Sequence, residues 1–328
     1  MKIYRNLEHF IPLDNAVVTI GTFDGVHIGH QKIISTLKQC AAKLNGETVL
    51  LTFFPHPRMI LHPEDDSLRL ISDLPEKEEL LASCGIDHLI ITPFTRDFSN
   101  LSPEAYIRDV LVGKIGTKKL VIGYDHHFGK DRRGSMADLL AYAEIYNYTV
   151  QEIPEQDIND VAVSSTKIRE ALIKGEIATA NSYLGYPFRL TGTVVRGEQL
   201  GRNIGFPTAN LHVSESYKLI PAYGIYAVEA DIMNTQHTEA GLYREPQVIR
   251  TLKGMGYIGT RPTLDGLTRS IEVNVFDFNE DLYGKQIRVK FLHFVRHDQK
   301  FDSLESMTRQ IAEDEKTIRS LLGANPAR

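Results

Sequence analysis

A chain of 328 residues is long for one core and comfortable for two domains. Its formal charge of −5 and pI near 6.2 give no electrostatic footprint for duplex nucleic acid, where a domain pI above about 9 is expected. Two cysteines, Cys40 and Cys84, each lie in a helix-like apolar pattern, so a disulfide framework or zinc site has no support and both read as reduced core residues. Met1 to His9 carries no continuous apolar run, and no later run approaches the roughly eighteen residues of a membrane span. The expectation is a cytoplasmic protein with small-molecule partners, no nucleic acid and no membrane; homo-oligomerisation stays open.

In chain order, Val17, Val18 and Ile20 predict a short buried strand, and Gln31 to Leu37 begin helical periodicity. Between them runs Gly21-Thr-Phe-Asp-Gly-Val-His-Ile-Gly-His30. His27 and His30 are three apart and share a face if both sit at a helix start, where free N–H groups and the macrodipole favour phosphate oxygens. Imidazoles there can donate to charge developing on a transferring phosphoryl group. The competing reading is a plain glycine turn with capping histidines.

Thr48 to Phe54 predicts a second strand that stops at Pro55-His56-Pro57. Helix Pro75 to Ser83, strand Leu89 to Thr92, a helix from Ser102 with Pro103 in its first turn, and strand Leu120 to Gly123 continue a βαβ rhythm. Gly123-Tyr-Asp-His-His-Phe-Gly129 and Lys130-Asp-Arg-Arg-Gly134 then fall at the carboxyl end of a strand, where open parallel sheets bind ligands. Helix Met136 to Tyr146 and strand Thr149 to Ile153 follow. Val163-Ser-Ser-Thr-Lys-Ile-Arg169 opens another helix; its hydroxyls and cations suit a triphosphate, and equally an ordinary N-cap. No Walker-type segment or dinucleotide fingerprint occurs.

Around Gly185-Tyr-Pro187 the pattern changes to short, closely spaced strands with glycine turns, which predicts a domain boundary and a small barrel. The strand candidates are Arg189 to Val195, Thr208 to Val213, Gly224 to Ile232, Gly256 to Gly259, Ile271 to Phe276 and Ile287 to His293. A helix over Ser303 to Leu322 carries a stripe of Leu304, Met307, Ile311, Ile318 and Leu321, with Asp302 and Glu305 in capping-box spacing. In Gly197-Glu-Gln-Leu-Gly201-Arg202-Asn-Ile-Gly205-Phe-Pro-Thr-Ala-Asn210, glycines permit close backbone approach to phosphates, and Thr208 and Asn210 would offer oxygen ligands for Mg²⁺ from one strand face. A turn before an ordinary strand explains the same composition. Ser270 to Phe276 alternates, with Glu272 and Asn274 opposite Ile271, Val273 and Val275; Glu272 is the best-placed carboxylate to orient and deprotonate an acceptor hydroxyl. Met255 to Thr263, including Arg261, could wall a ligand pocket, and Asn234 to Arg250 reads as a surface excursion without an assigned role.

Taken together, Gly21 to His30, Pro55-His56-Pro57, Gly123 to Gly129, Ser164 to Arg169, Gly201 to Leu211, Gly259 to Leu264, Ile271 to Phe278, Asp281 to Lys285 and Lys300-Phe301 resemble, in order and spacing, the prokaryotic bifunctional riboflavin kinase and FAD synthetase family. The resemblance implies an α/β Rossmann-like nucleotidyltransferase domain over residues 1–184, followed by a small antiparallel β-barrel of riboflavin kinase type with a C-terminal helix over residues 185–328. It implies riboflavin, FMN, FAD and ATP as substrates or products, with Mg²⁺. Glu272, His27 and His30 would be catalytic. Gly21, Asp24, Gly29, Ser165, Thr166, Arg169, Gly197, Gly201, Arg202 and Gly205 would bind nucleotide. Pro55, His56, Pro57, Asp125, Phe128 and Arg261 would bind flavin, and Thr208 and Asn210 the metal. His126 and Asn274 depart from the family pattern without removing a residue that the chemistry requires.

Other readings are an aminoacyl-tRNA synthetase-like enzyme, which shares the His-Ile-Gly-His corner but would need an RNA-binding surface, and a flavin store, which would bind without turnover.

Overall fold

The computed structural model describes residues 1–123, 127–154, 163–197, 200–234, 242–263 and 266–323. By packing, the chain divides into one unit of residues 1–165 with 238–245 and a second of residues 166–237 with 246–328.

In the first unit, β1 (Lys2–Tyr4), β2 (Ala16–Ile20), β3 (Glu47–Phe53), β4 (His88–Thr92), β5 (Thr117–Gly123) and β6 (Thr149–Ile153) form a parallel sheet in the order β1-β4-β3-β2-β5-β6. The central strands β2, β3 and β4 are buried almost throughout because both faces are covered, whereas the edge strands β1 and β6 are partly exposed. Val18, Ile20, Val49, Leu51, Leu120 and Ile122 pack on the side of the helical segment Tyr106–Ile115. Their alternates Val17, Leu50, Leu89 and Val121 pack with α1 (Ile28–Leu44) and α3 (Leu74–Ser83), a short α2 (Pro57–Leu61) lying between these helices in sequence. Cys40 is buried in that second layer, whereas Cys84, expected in the core, is only half-buried at the end of α3.

The order reverses between β2 and β5. A crevice opens at the carboxyl ends of two strands whose connections leave in opposite directions. Gly21 follows β2 directly, so the Gly21 to His30 corner lies at that switch point by topology.

The second unit begins at Thr166, one residue into the helix Ser165–Lys174, and continues with the helix Ile177–Leu184. Gly185, in the left-handed region with φ 79°, ends the latter. A closed antiparallel barrel follows: β7 (Arg189–Val195), β8 (Ala209–His212), β9 (Gly224–Asn234), β10 (Gln247–Thr263), β11 (Gly266–Val275) and β12 (Gln286–His297), ordered β10-β11-β8-β7-β12-β9. Phe188, Tyr226 and Phe291 fill its interior with edge and tilted ring contacts. Strand β10 is far longer than the expected Gly256 to Gly259, because its interior glycines mark close approaches between strands instead of turns. A Cβ on Gly254 would lie 2.6 Å from the Asn274 carbonyl oxygen, and one on Gly256 would lie 2.9 Å from Val228.

The C-terminal helix Leu304–Leu321 exists as expected, but its attachment differs. Ser303 caps it with Ser306, in place of Asp302 with Glu305. Ile318 is buried against Ile225, Ala227, Met255 and Phe276, while Leu304 and Leu321 are exposed. Charged anchors supply the rest: the Arg296 guanidinium donates to Asp314 at 2.7–3.0 Å, and Arg319 donates to Asp277 and lies 4.3 Å over the Phe276 ring. The surface excursion expected over Asn234 to Arg250 ends sooner, because β10 already starts at Gln247. Lys2 bridges Leu242, the Tyr243 amide donates to Met1 at 3.3 Å, and the Tyr243 ring packs on the core beside Ile3.

Asp314→Ala leaves Arg296 half-enclosed without its carboxylate and is expected to destabilise the barrel unit by about 2–4 kcal/mol. Urea unfolding read by segment-resolved hydrogen exchange checks this: protection should fall in β9 and β10 and stay unchanged in the parallel sheet.

Candidate functional sites

At the corner after β2 the backbone itself is unusual. Phe23 (φ 46°) and Val26 (φ 37°) occupy the left-handed region that non-glycine residues avoid, and Gly25 (φ 79°) sits between them. The fold holds this shape through Asp24, whose buried carboxylate accepts from Ile71 N–H at 2.9 Å and Ser72 N–H at 3.3 Å. Ser72 Oγ accepts from Gly25 N–H at 3.1 Å, and a Cβ on Gly25 would meet Ile71 at 2.9 Å. Asp24, which the resemblance places at the nucleotide, thus braces the corner with its carboxylate. Gly21 donates to Leu51 at 3.1 Å, and a Cβ on it would meet the Phe23 ring at 3.0 Å.

His27 is the N-cap of α1 and accepts through Nδ1 from the His30 amide at 3.4 Å. The two imidazoles stack with centroids 3.7 Å apart, and Phe23 packs on His30. The face-sharing expected from their spacing is therefore met by ring stacking. Burial first, then His27 and Lys77, hold the His30 pKa well below its ordinary value, so the ring is neutral near pH 7. His30 Nδ1 is buried without a hydrogen-bond partner among the described residues. Gly29 is buried in the first turn of α1.

Ser165 starts the helix Ser165–Lys174, and its hydroxyl donates to the Asp24 carbonyl at 3.0 Å, which brings that helix start onto the corner. Thr166 is exposed and Arg169 half-buried on the same helix; by packing they belong to the second unit. Pro55 is exposed, and His56 caps α2 by accepting from Arg58 N–H at 3.1 Å, with Pro57 opening that helix. Phe128 is buried, 5.3 Å from the Tyr106 ring, and a Cβ on Gly134 would strike it. Asp125 and His126 lie outside the described residues, as does the side chain of Arg261. Sequence reasoning passed over Lys77, which is buried on α3 and donates to the Thr22 carbonyl at 2.8 Å. Its place in the α3 periodicity, between Leu74 and Leu81 on the inward side, was the available signal.

In the barrel, Glu272 and Asn274 are both buried, so the alternation of β11 does not give the wet face that it suggests. Glu272 pairs in register with Asn210, and its carboxylate accepts from Thr208 Oγ1 at 2.8 Å and from Ser270 Oγ at 3.0 Å. Asn274 donates to the Pro207 carbonyl at 2.7 Å and fixes the Pro207-Thr208 segment. The preceding loop is shaped by glycine. A Cβ on Gly197 would fall 2.4 Å from the Asn210 amide, and one on Gly201 would fall 2.3 Å from the Phe206 carbonyl. Gly205 takes φ 87°, and Arg202 is exposed.

Beside Thr208 opens a cleft of about 480 Å³ between Arg202, Pro207 and Thr208 on one side and Phe278, Asp281 and Tyr283 on the other. The second wall is pinned to β7, because Gly284 donates to Val194 at 2.9 Å and Val194 donates to Lys285 at 3.0 Å. The size and the mix of aromatic and polar walls suit a nucleotide. Among the described residues no cluster of three or more His, Cys, Asp or Glu could hold a metal unaided. The hydroxyl, amide and carboxylate oxygens of Thr208, Asn210 and Glu272 do fit a hard cation that shares its sites with phosphate.

Residues 11–167 match the sequence model of the FAD synthetase family, and residues 184–322 match that of riboflavin kinase. The bifunctional riboflavin kinase/FMN adenylyltransferase of Listeria monocytogenes is 37% identical over 96% of this chain and 96% of its own length. The protein of the same name from Escherichia coli K12 is 36% identical over 98% of both chains, and that of Bacillus subtilis is 34% identical over 94% of both. A solved structure from Streptococcus pneumoniae, named a macrolide-efflux protein, shares 30% identity over 97% of this chain and 98% of its own, with a TM-score of 0.84. Among the described residues of the present chain, no helix is long and apolar enough to cross a membrane. Two family models in tandem and near-full-length relatives establish that the chain belongs to the bifunctional riboflavin kinase/FMN adenylyltransferase family.

Proposed function

We propose that the protein carries out its two reactions at separate sites, riboflavin phosphorylation in the barrel and FMN adenylylation at the Gly21 to His30 corner. The observation that carries this division is the buried Glu272 carboxylate, held by Thr208 and Ser270 beside the cleft, in a unit that does not contain the His27–His30 pair. The kinase module is taken to start at 185; the riboflavin kinase match begins at residue 184.

In the barrel, Glu272 orients the riboflavin 5′-hydroxyl and accepts its proton as the oxygen attacks the γ-phosphorus of ATP, giving FMN and ADP. Thr208 and Asn210 would hold Mg²⁺, which would supply neutralisation of phosphate charge, the main demand of phosphoryl transfer. Arg202 and the backbone at Gly197, Gly201 and Gly205 flank the phosphates, and the resemblance gives Arg261 to the flavin. At the corner, a phosphate oxygen of FMN attacks the α-phosphorus of a second ATP. The new phosphoanhydride is FAD, and pyrophosphate leaves with the bonding electron pair. Stacked His27 and His30, the α1 N-terminus and Ser165 meet the ATP phosphates, while Pro55, His56, Pro57 and Phe128 serve the flavin; the resemblance adds Thr166 and Arg169 to the nucleotide set and Asp125 to the flavin set. Neither step needs a covalent enzyme intermediate, so positioning and charge neutralisation carry the catalysis. Both reactions consume ATP, which is the basis for a cytoplasmic assignment.

Glu272→Ala is expected to slow FMN formation by about 10²-fold or more while FAD formation from supplied FMN persists; His27→Ala with His30→Ala should do the reverse. Chromatography of the flavins formed from riboflavin or FMN with ATP measures both. Loss of both activities in either variant would count against separate sites. Chelation of divalent ions should abolish FMN formation, with recovery on adding Mg²⁺ but little on adding Ca²⁺, whose larger and looser shell suits the site poorly; unchanged turnover after exhaustive chelation would remove the metal from the scheme.

A further inference from the structure

Lys77 is 2% exposed on α3, a position where an aliphatic side chain would cost far less. Its ammonium donates to the Thr22 carbonyl at 2.8 Å, and Thr52 Oγ1 donates to the same oxygen at 3.3 Å. A neutral hydroxyl thus already serves that carbonyl, so the brace alone gives no reason for a buried cation. Desolvation presses the Lys77 pKa down, and the carboxylates of Asp24 and Glu78 press it back up. Asp24 accepts from the amides of Ile71 and Ser72, and Glu78 pairs with Arg5. The charge of Lys77 is also felt at the corner: Lys77 and His27 both act on the buried, neutral His30, whose Nδ1 has no hydrogen-bond partner among the described residues.

Resting on the reading of this corner as the adenylylation site, we propose that Lys77 is a positioning residue for FMN adenylylation: its buried ammonium clamps the Thr22 carbonyl and keeps a fixed positive charge beside His30, so that the ATP phosphates meet a corner already folded and already cationic. Transfer of the adenylyl group breaks the bond from the α-phosphorus to the bridging oxygen of pyrophosphate, and negative charge grows on that oxygen. A cation paid for at folding needs no reorganisation at that moment. The same charge opposes a proton on His30 and leaves one imidazole N–H to donate and one nitrogen to accept.

The test uses the full-length protein with Lys77→Met, Lys77→Arg and Thr52→Val. Lys77→Met is expected to lower kcat for FAD formation from FMN and ATP at least about tenfold, the size of a hydrogen bond to a charged group, with riboflavin phosphorylation within about twofold. In the protein without nucleotide, the NMR titration midpoint of His30, assigned with His30→Asn, should move up by about half a pH unit or more, because a repelling cation has gone. Lys77→Arg should recover part of the rate and keep the low midpoint. Thr52→Val, which weakens the same carbonyl clamp and leaves the charge, should cost less than about threefold and leave the midpoint in place. A Lys77→Met rate within about twofold of the parent, or a rate loss with the His30 midpoint unmoved, overturns the proposal. If Lys77→Met leaves the parallel sheet unprotected against exchange, the other two variants decide. A tenfold loss in Thr52→Val makes bracing the whole effect and overturns it, whereas a small loss there with retained function in Lys77→Arg supports it. Because the midpoint is read without turnover, a parent that makes no FAD defeats the assignment of the corner and leaves the Lys77–His30 coupling to be judged by itself.

Discussion

Phe23 and Val26 are held in a left-handed backbone conformation that costs on the order of 1 kcal/mol or more at each, and the first unit is arranged so that this cost is met. The Asp24 carboxylate takes the amides of Ile71 and Ser72, Ser72 Oγ takes the Gly25 amide, and Lys77 and Thr52 take the Thr22 carbonyl. All of these partners lie on β3 or on the segment leading into and through α3, elements that the two-sided burial of the parallel sheet fixes independently. The result is a turn that delivers His27 to the N-cap of α1 and stacks it on His30. Relaxing the turn toward ordinary dihedrals would unstack the pair.

The second unit solves a related problem by different means. Its barrel buries a carboxylate, which is tolerable because the hydroxyls of Thr208 and Ser270 both donate to Glu272. That arrangement depends on register: β8 must pair β11 so that Asn210 opposes Glu272, and a slip of one residue would turn Glu272 to the other face. Asn274 has a structural duty, since it holds the Pro207 carbonyl and with it Thr208. The C-terminal helix, clamped by Asp314 and Arg319 more than by apolar contacts, closes over β9 and β10 without entering the cleft.

Both sites were legible as motifs, and each was incomplete in a particular way. The His27 to His30 spacing announces a shared helix face, but ring stacking and the orphaned Nδ1 depend on Phe23 and on burial. Asp24 reads as an acid available to a ligand; only the distant amides of Ile71 and Ser72 make it a brace. Lys77 is indistinguishable in sequence from any helical lysine, because its burial comes from α3 packing over the corner. The aromatic wall at Phe278 and Tyr283 belongs to the connection from β11 to β12, far from Thr208 in sequence, brought alongside by the bonds between Gly284, Lys285 and Val194.

The apolar strand runs alternating with helical periodicity, the glycine turns and the change of rhythm near Gly185 determined by themselves a parallel α/β sheet followed by a small barrel with a terminal helix. Those are local features, written in the spacing of neighbouring residues. Which charges would be buried, which strands would be long, and which carbonyls and carboxylates would brace the two sites were decided only by tertiary structure. They depend on partners tens to more than a hundred residues apart, such as Asp24 with Ile71 and Ser165, whose proximity no local pattern encodes.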